Sequence, residues 1–240
     1  MNAMILAAGV GSRLRPLTHD TPKALIEVGG APMIERVVRR LTTAGVAEIV
    51  VNLFHLPDRI VEFLASRHNF GLRIAFTRET ELLDTGGGLK NAAWFFDDGR
   101  PFFLHNVDVL SEIDLAGLLR FHLEMGALAT LAVQSRPSSR RLLFDKGGQL
   151  CGRESPDGVE WASGPVATVE RLGFTGIHVI DPAIFPKMSE TGVFSINRTY
   201  LRLAGEGEKV VAYRADGAYW QDIGSPENLA QTRRRVAGRD

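Results

Sequence analysis

The chain has 240 residues, 45% of them hydrophobic, with 28 basic residues against 28 acidic ones. A chain of that length buries roughly 70–75% of its unfolded surface and needs no disulfide or metal staple. Formal neutrality leaves no global field for gripping nucleic acid or an anionic membrane, and the single cysteine, Cys151, excludes an internal disulfide framework.

Short β-rich runs alternate with amphipathic ones. Ala3–Ala7 reads as a buried strand, too short for a signal core or a bilayer span and preceded by no basic residue. Met33–Ala44 reads as a helix: Ile34, Val37, Val38 and Leu41 recur at helical spacing, Pro32 suits its first turn and Gly45 ends it. Glu48–Leu53 reads as a strand, Pro57–Ser66 as a helix and Arg73–Phe76 as a strand. Gly88–Phe95 reads as a short helix opened by the glycine run at 86–88. Pro101–Leu104, Leu115–Met125 and Ala127–Val133 continue as strand, helix and strand. Strands apolar on both faces, linked by helices, predict an α/β fold with a Rossmann-like, mixed but mostly parallel sheet sandwiched by helices.

From Pro137 the pattern turns β-rich. Leu142–Asp145 and Gln149–Gly152 flank a glycine turn as a hairpin, and 155–169 looks irregular. Gly173–Ile180 reads as a strand and Ile196–Ala204 as a helix, with a second hairpin at Lys209–Tyr213 and Ala218–Trp220 and a closing helix at Pro226–Val236. Without a linker or repeat, the expectation is one domain of two lobes, 1–136 and 137–240. No transmembrane or lipidation signal is visible, so a soluble, cytoplasmic monomer or homodimer is expected.

The strongest local signal follows the first strand: Leu6-Ala7-Ala8-Gly9-Val10-Gly11-Ser12-Arg13-Leu14-Arg15-Pro16-Leu17-Thr18, then Thr21-Pro22-Lys23. Glycines and alanines there allow close backbone approach, and the N–H groups of such a turn suit phosphate oxygens. The dinucleotide fingerprint fails because Leu14 stands at its third glycine, and no Gly-Lys-Ser/Thr follows for a Walker A loop. Cations remain: Arg13, Arg15 and Lys23, the last one of only five lysines in the chain.

This string resembles the signature of the sugar-1-phosphate nucleotidylyltransferases, which join a sugar 1-phosphate to an NTP and release pyrophosphate. The resemblance implies that Leu6 belongs to the nucleotide site, that the backbone of Ala7, Ala8 and Gly9 faces the base, that Gly11, Ser12 and Arg13 wrap the triphosphate, and that Lys23 meets the phosphates. It also implies Mg²⁺. Asp108 stands at the end of the run Phe102-Phe103-Leu104-His105-Asn106-Val107-Asp108, which continues the expected strand Pro101–Leu104; Val107 stands where the family carries glycine, and Asn106 matches a substrate contact. Asp222, in Trp220-Gln221-Asp222-Ile223-Gly224-Ser225-Pro226-Glu227, resembles the family's second metal aspartate. Arg13, Lys23, Asp108 and Asp222 are thus the expected catalytic set. Mg²⁺ takes one or two carboxylates plus phosphate oxygens and water, so two aspartates suffice.

Thr85, Gly86 and Gly87 resemble the segment beside base and ribose, with Glu81 as a further base-pocket candidate. On the acceptor side Thr175 and Gly176 resemble the strand under the sugar, and Glu170 precedes them; the Glu-Lys-Pro segment of glucose 1-phosphate relatives finds no match at Val169–Leu172. Arg136, Arg140 and Arg141 read as solvated loop charges. The six histidines lack metal-ligand spacing, and Ser12, Ser111 and Cys151 lack a nucleophile's surroundings. The resemblance is to small N-acetylmuramate-1-phosphate uridylyltransferases and mannose-1-phosphate guanylyltransferases, without a left-handed β-helix domain. It suggests UTP with an N-acetylated hexose 1-phosphate. Mannose-1-phosphate guanylyl transfer, phosphocholine-type cytidylyl transfer and a non-catalytic nucleotide-binding regulatory module are the alternatives.

Overall fold

The computed structural model describes residues 1–238. Its elements run β1 (Asn2–Leu6), β2 (Glu27–Val28), β3 (Ala31–Pro32), α1 (Met33–Thr43), β4 (Glu48–Leu53), α2 (Pro57–Ser66), β5 (Arg73–Arg78), α3 (Asp84–Asn91), β6 (Phe102–Asn106) and β7 (Val109–Ser111). There follow α4 (Leu115–Met125), β8 (Ala129–Gln134), β9 (Arg141–Phe144), β10 (Leu150–Ser155), β11 (Gly158–Trp161), β12 (Glu170–Ile180), α5 (Ile196–Gly205), β13 (Val210–Arg214), β14 (Trp220–Asp222) and α6 (Pro226–Ala237).

Two compact units emerge. The first takes Met1–Leu82, His105–Ile113 and the chain from Tyr219; the second takes Leu83–Leu104 and Asp114–Ala218. They do not follow the expected division at residue 136, because the chain leaves the first unit twice and returns.

In the first unit β1 pairs parallel with β4, Leu6 opposite Asn52, and β4 pairs parallel with β5. Ala3–Ile5 and Ile49–Val51 are buried, as expected of parallel strands covered on both faces. Helix α1 buries the stripe Ile34, Val37, Val38 and Leu41, and ends before Gly45, whose φ of 85° suits glycine. The chain leaving β6 reaches the other flank of β1, where Val107 N–H donates to Leu6 O at 3.1 Å. β7 then pairs antiparallel with β14, Val109 opposite Asp222. A separate apolar cluster of Leu14, Ile26, Val28, Met33, Ile223 and Leu229 ties together segments far apart in sequence.

In the second unit β8 lies between β12, antiparallel, and β13, parallel. β12 pairs on with β9, β9 with β10 and β10 with β11. Helix α4 is capped by Asp114, which accepts from Gly117 N, and by Gly126 in the left-handed region.

Three expectations of local structure are corrected. Helix α3 starts at Asp84 and holds all three glycines inside it, with a separate 3-10 turn at Ala93–Phe95. The stretch expected to be irregular contains β11, which binds β10 from Gly152↔Trp161 to Ser155↔Gly158. The second hairpin does not form, since β13 pairs with β8 and β14 with β7. Val210 and Val211 bury almost completely beside β8, and that gain outweighs the short-range pairing their spacing suggests.

Candidate functional site

The glycine loop is held at both ends. Ala7 N–H donates to Asn52 Oδ1 at 2.8 Å, and Asn52 Nδ2 donates to Glu79 Oε1 at 2.6 Å. Glu79 N–H in turn donates to Leu53 O at 2.8 Å. Ala7, Asn52 and Glu79 therefore lie at the carboxyl ends of three adjacent parallel strands, where open α/β sheets place ligands. At the far end Thr18 Oγ1 donates to Gly11 O at 2.8 Å, and His55 Nε2 donates to Thr18 O at 3.1 Å.

The two loop glycines are there for different reasons. Gly11 has φ 63°, and a Cβ on it would lie 2.8 Å from Thr18 Cγ2, so the fold itself demands glycine. Gly9 has no such φ, and a Cβ there would meet nothing within 4 Å. Neither backbone nor packing requires glycine at position 9; a side chain would only fill the open space over the loop.

Four charged residues are gathered in the same unit. Arg13 sits on the 3-10 turn Ser12–Leu14 and Lys23 on the 3-10 turn Lys23–Leu25. Burial of Leu14, Ile26 and Ile223 in one cluster anchors the neighbouring Arg13, Lys23 and Asp222. Lys23 Nζ donates to Asp108 Oδ2, with the two side chains 13% and 22% exposed. Ile223 N–H donates to Asp108 O at 2.9 Å, which holds the Asp222 strand beside Asp108. Asp222 Oδ1 accepts from Gly224 N–H at 2.8 Å and Oδ2 from Asn228 Nδ2 at 3.2 Å. A Cβ on Gly224 would lie 2.6 Å from Asp222 Oδ1 and 2.8 Å from Arg13 Nη2, so both groups crowd that glycine. Arg13 is exposed, and its guanidinium has no hydrogen-bond or ion-pair partner among the described residues.

Asp108, in the turn between β6 and β7, and Asp222, on β14, are hard oxygen donors, one of them already compensated by a cation. That fits Mg²⁺, which needs only one or two carboxylates when phosphate oxygens and water complete its shell. Among the described residues no group of three or more His, Cys, Asp or Glu side chains could hold a metal by itself. Val107, the departure from the family's glycine, is 4% exposed, so its side chain is absorbed by the interior. Asn106 is half-buried, and its carbonyl accepts from Nδ1 of His105 at 2.7 Å. His105 is fully buried; desolvation, with Arg40 adding to it, pushes its imidazole down to about 4 and keeps it neutral.

Of the remaining first-unit candidates, Leu6 and Ala8 frame the loop, and Ser12 and Glu81 are exposed. The others belong to the second unit, and much of their bonding capacity is spent there. Thr85 Oγ1 accepts from Ile196 N–H at 3.0 Å, while Gly86 and Gly87 N–H donate to Phe194 O at 2.9 and 3.2 Å. A Cβ on Gly86 would lie 2.4 Å from the Phe194 ring, and one on Gly87 would lie 2.6 Å from Gly192 O. Close packing accounts for this second glycine run. Thr175 is buried, its hydroxyl donating to Ala132 O at 2.7 Å. Gly176 has φ 74° where the β12–β8 register shifts, and the exposed Glu170 pairs with Arg214.

Sequence reasoning passed over Asn52, Glu79 and Glu154. The first two sit at strand ends facing the loop, a position that only strand order reveals. Glu154 is paired with Arg141 and Arg171 at 3.1 and 3.4 Å, so Arg141 is no loose loop charge. Arg136 likewise donates to Phe174 O at 2.7 Å.

Fold and site together define an α/β protein in which a glycine loop follows the parallel strand β1 and two cations and two carboxylates gather in the same unit. The sequence model of the nucleotidyl transferase family matches residues 2–142, and the chain belongs to that family. It is 32% identical over 234 residues to the mannose-1-phosphate guanyltransferase of Yarrowia lipolytica and 33% identical to that of Pichia angusta. Each alignment covers 95% of this chain and 62% of the relative, so the chain spans less than two thirds of the length of those enzymes. The crystal structure of HddC from Yersinia pseudotuberculosis complexed with GMP-PN shares the fold, with a TM-score of 0.77 at 22% identity over 98% of both chains. No helix among the described residues is long and apolar enough to cross a membrane.

Proposed function

We propose that the chain is a nucleotidylyltransferase that transfers a nucleoside monophosphate from an NTP to a sugar 1-phosphate. The observation that carries this reading is the Lys23–Asp108 pair beside a glycine loop whose Gly9 keeps open space that neither backbone nor packing requires. A phosphate oxygen of the sugar 1-phosphate attacks the α-phosphorus in line, the bond to the β-phosphate oxygen breaks, and pyrophosphate leaves. The attacking oxygen is already anionic, so no general base is required. The loop amides and the Arg13 guanidinium bind and orient the triphosphate, and the Lys23 ammonium neutralises charge that shifts during transfer. Asp108 and Asp222 would hold Mg²⁺, which supplies electrophilic assistance to the phosphate oxygens. Asn106 and the second-unit residues Glu170, Thr175 and Gly176 are the acceptor-side candidates, of which Thr175 contributes through its backbone, its hydroxyl being spent.

The relatives' names favour GTP with mannose 1-phosphate. They lend no support to UTP with an N-acetylated hexose 1-phosphate, and both pairs enter the test. Pyrophosphate release is measured with five NTPs against mannose, glucose, N-acetylglucosamine and N-acetylmuramic acid 1-phosphates and phosphocholine, with Mg²⁺ and with chelator. Release with one pair, abolished by chelator, is expected. A folded protein that releases none across the panel sinks the reading; if it is nevertheless stabilised by an NTP, the regulatory-module alternative takes its place.

A further inference from the structure

The second unit holds a cavity of about 600 Å³ that none of the residues discussed above for transfer lines. Its frame is built with care. Lys90 Nζ donates to Met188 O at 2.7 Å and Glu190 O at 2.6 Å, fixing the loop that forms one wall. Glu190, 8% exposed, receives Arg202 Nε at 2.8 Å and Nη2 at 3.1 Å, while Arg202 Nη2 also donates to Lys187 O at 2.8 Å. That pairing draws the Glu190 carboxyl below its ordinary value and raises the Arg202 guanidinium, although burial opposes both shifts. Glu160, on the opposite wall, is paired with Arg153 at 2.6 Å. The two carboxylates of the frame are therefore each paired with an arginine.

What remains is distinct in kind. Arg198 on α5, the hydroxyls of Ser189 and Thr191 and the indole of Trp161 line the cavity without a side-chain hydrogen bond or ion pair among the described residues. With Glu160 and Glu190 already paired to Arg153 and Arg202, the Arg198 guanidinium keeps a free planar fork suited to phosphate. An indole and two hydroxyl-bearing side chains in one lining suit a sugar ring, which offers C–H groups on one side and hydroxyls at its edge. We propose that this cavity binds a phosphorylated sugar, its phosphate on Arg198 and its ring against Trp161. The site requires no turnover and stands apart from the transfer reading.

Sugar phosphate and nucleotide sugar share this chemistry, so both serve as probes, with inorganic phosphate as a third. Calorimetric titrations use the full chain carrying Lys23→Met, to weaken the phosphate site of the glycine loop, with mannose 1-phosphate, GDP-mannose and UDP-N-acetylglucosamine. Binding by one of the sugar probes is expected, weakened at least about tenfold by adding Arg198→Ala or Trp161→Leu. Arg198 is exposed, so its replacement should leave the melting temperature near that of the parent, and Arg198→Lys should restore part of the affinity. Binding unchanged by both replacements, binding by inorganic phosphate as tight as by any sugar probe, or no binding at all would overturn the proposal. If mannose 1-phosphate binds and the nucleotide sugars do not, the ligand is the simple sugar phosphate; the reverse identifies the nucleotide sugar.

Discussion

Lys23 Nζ and Asp108 Oδ2 form an ion pair across 85 residues of sequence, with both side chains mostly shielded from water. The ammonium occupies the carboxylate that a divalent cation would need. Arrival of a triphosphate gives Lys23 a richer anion, so nucleotide and metal would load together. Lys23→Met should lower turnover by roughly 10²–10³-fold, the scale of losing one positioned charge donor. It should also tighten Mn²⁺ binding without nucleotide by about tenfold, because a half-buried carboxylate loses its compensating charge. Electron paramagnetic resonance titration of Mn²⁺ checks the second effect independently of activity; unchanged affinity would show that the two cations do not compete.

The glycines offer a paired contrast. Gly9→Ala adds a methyl where nothing lies within 4 Å, so unfolding by urea should change by less than about 0.5 kcal/mol. NTP affinity should nevertheless fall roughly tenfold if ligand fills that space. Gly86→Ala forces a methyl against the Phe194 ring and should cost about 1–3 kcal/mol of stability. Equal destabilisation by both replacements would refute the distinction.

Asn52→Ala removes the acceptor of the Ala7 amide and the donor to Glu79. Leaving the buried Ala7 amide without its acceptor and taking one donor from Glu79 should cost on the order of 1–3 kcal/mol. Hydrogen exchange at the Ala7 amide should accelerate while amides of the second unit stay protected. Uniform acceleration throughout the chain would mean global loosening instead.

Two buried histidines set an acid limit. Desolvation holds His105 and His122 near pKa 4, against about 6.5 in the unfolded chain. Between those values the unfolded state binds protons that the folded state refuses. Their contribution is thus fully present above about pH 6.5 and is lost as pH falls toward 4, by up to about 3 kcal/mol for each histidine. Urea midpoints at pH 7 and pH 4.5 measure the drop, and His122→Gln should shrink it; an unchanged drop would remove His122 from the account.

Several elements of both units were legible in the sequence because their signals are local. β4, α2 and α4 have the expected bounds, since apolar periodicity, Pro57 at a helix start and Gly126 at a helix end act over a few residues. The misplaced second hairpin and the unseen β11 have the opposite character. Their pairing depends on which distant strand offers a buried edge, and spacing within the segment carries no record of that. The glycine run at 86–88 misled for a related reason: glycine admits close approach by a ligand or by a neighbouring residue, and the letters do not say which.

By itself, the sequence carried the α/β class and the glycine loop with Arg13 and Lys23, because periodicity and residue chemistry are properties of the chain alone, while Asp108 and Asp222 stood out through the motifs that resemble a known family. Tertiary structure decided that Lys23 pairs with Asp108, that Asn52 and Glu79 brace the loop, and that Arg198 is left uncommitted at a cavity whose other charges are paired. Those relationships come from burial. Leu14, Ile26 and Ile223 lose water only by meeting one another, and in meeting they bring residues 13, 23 and 222 to one place.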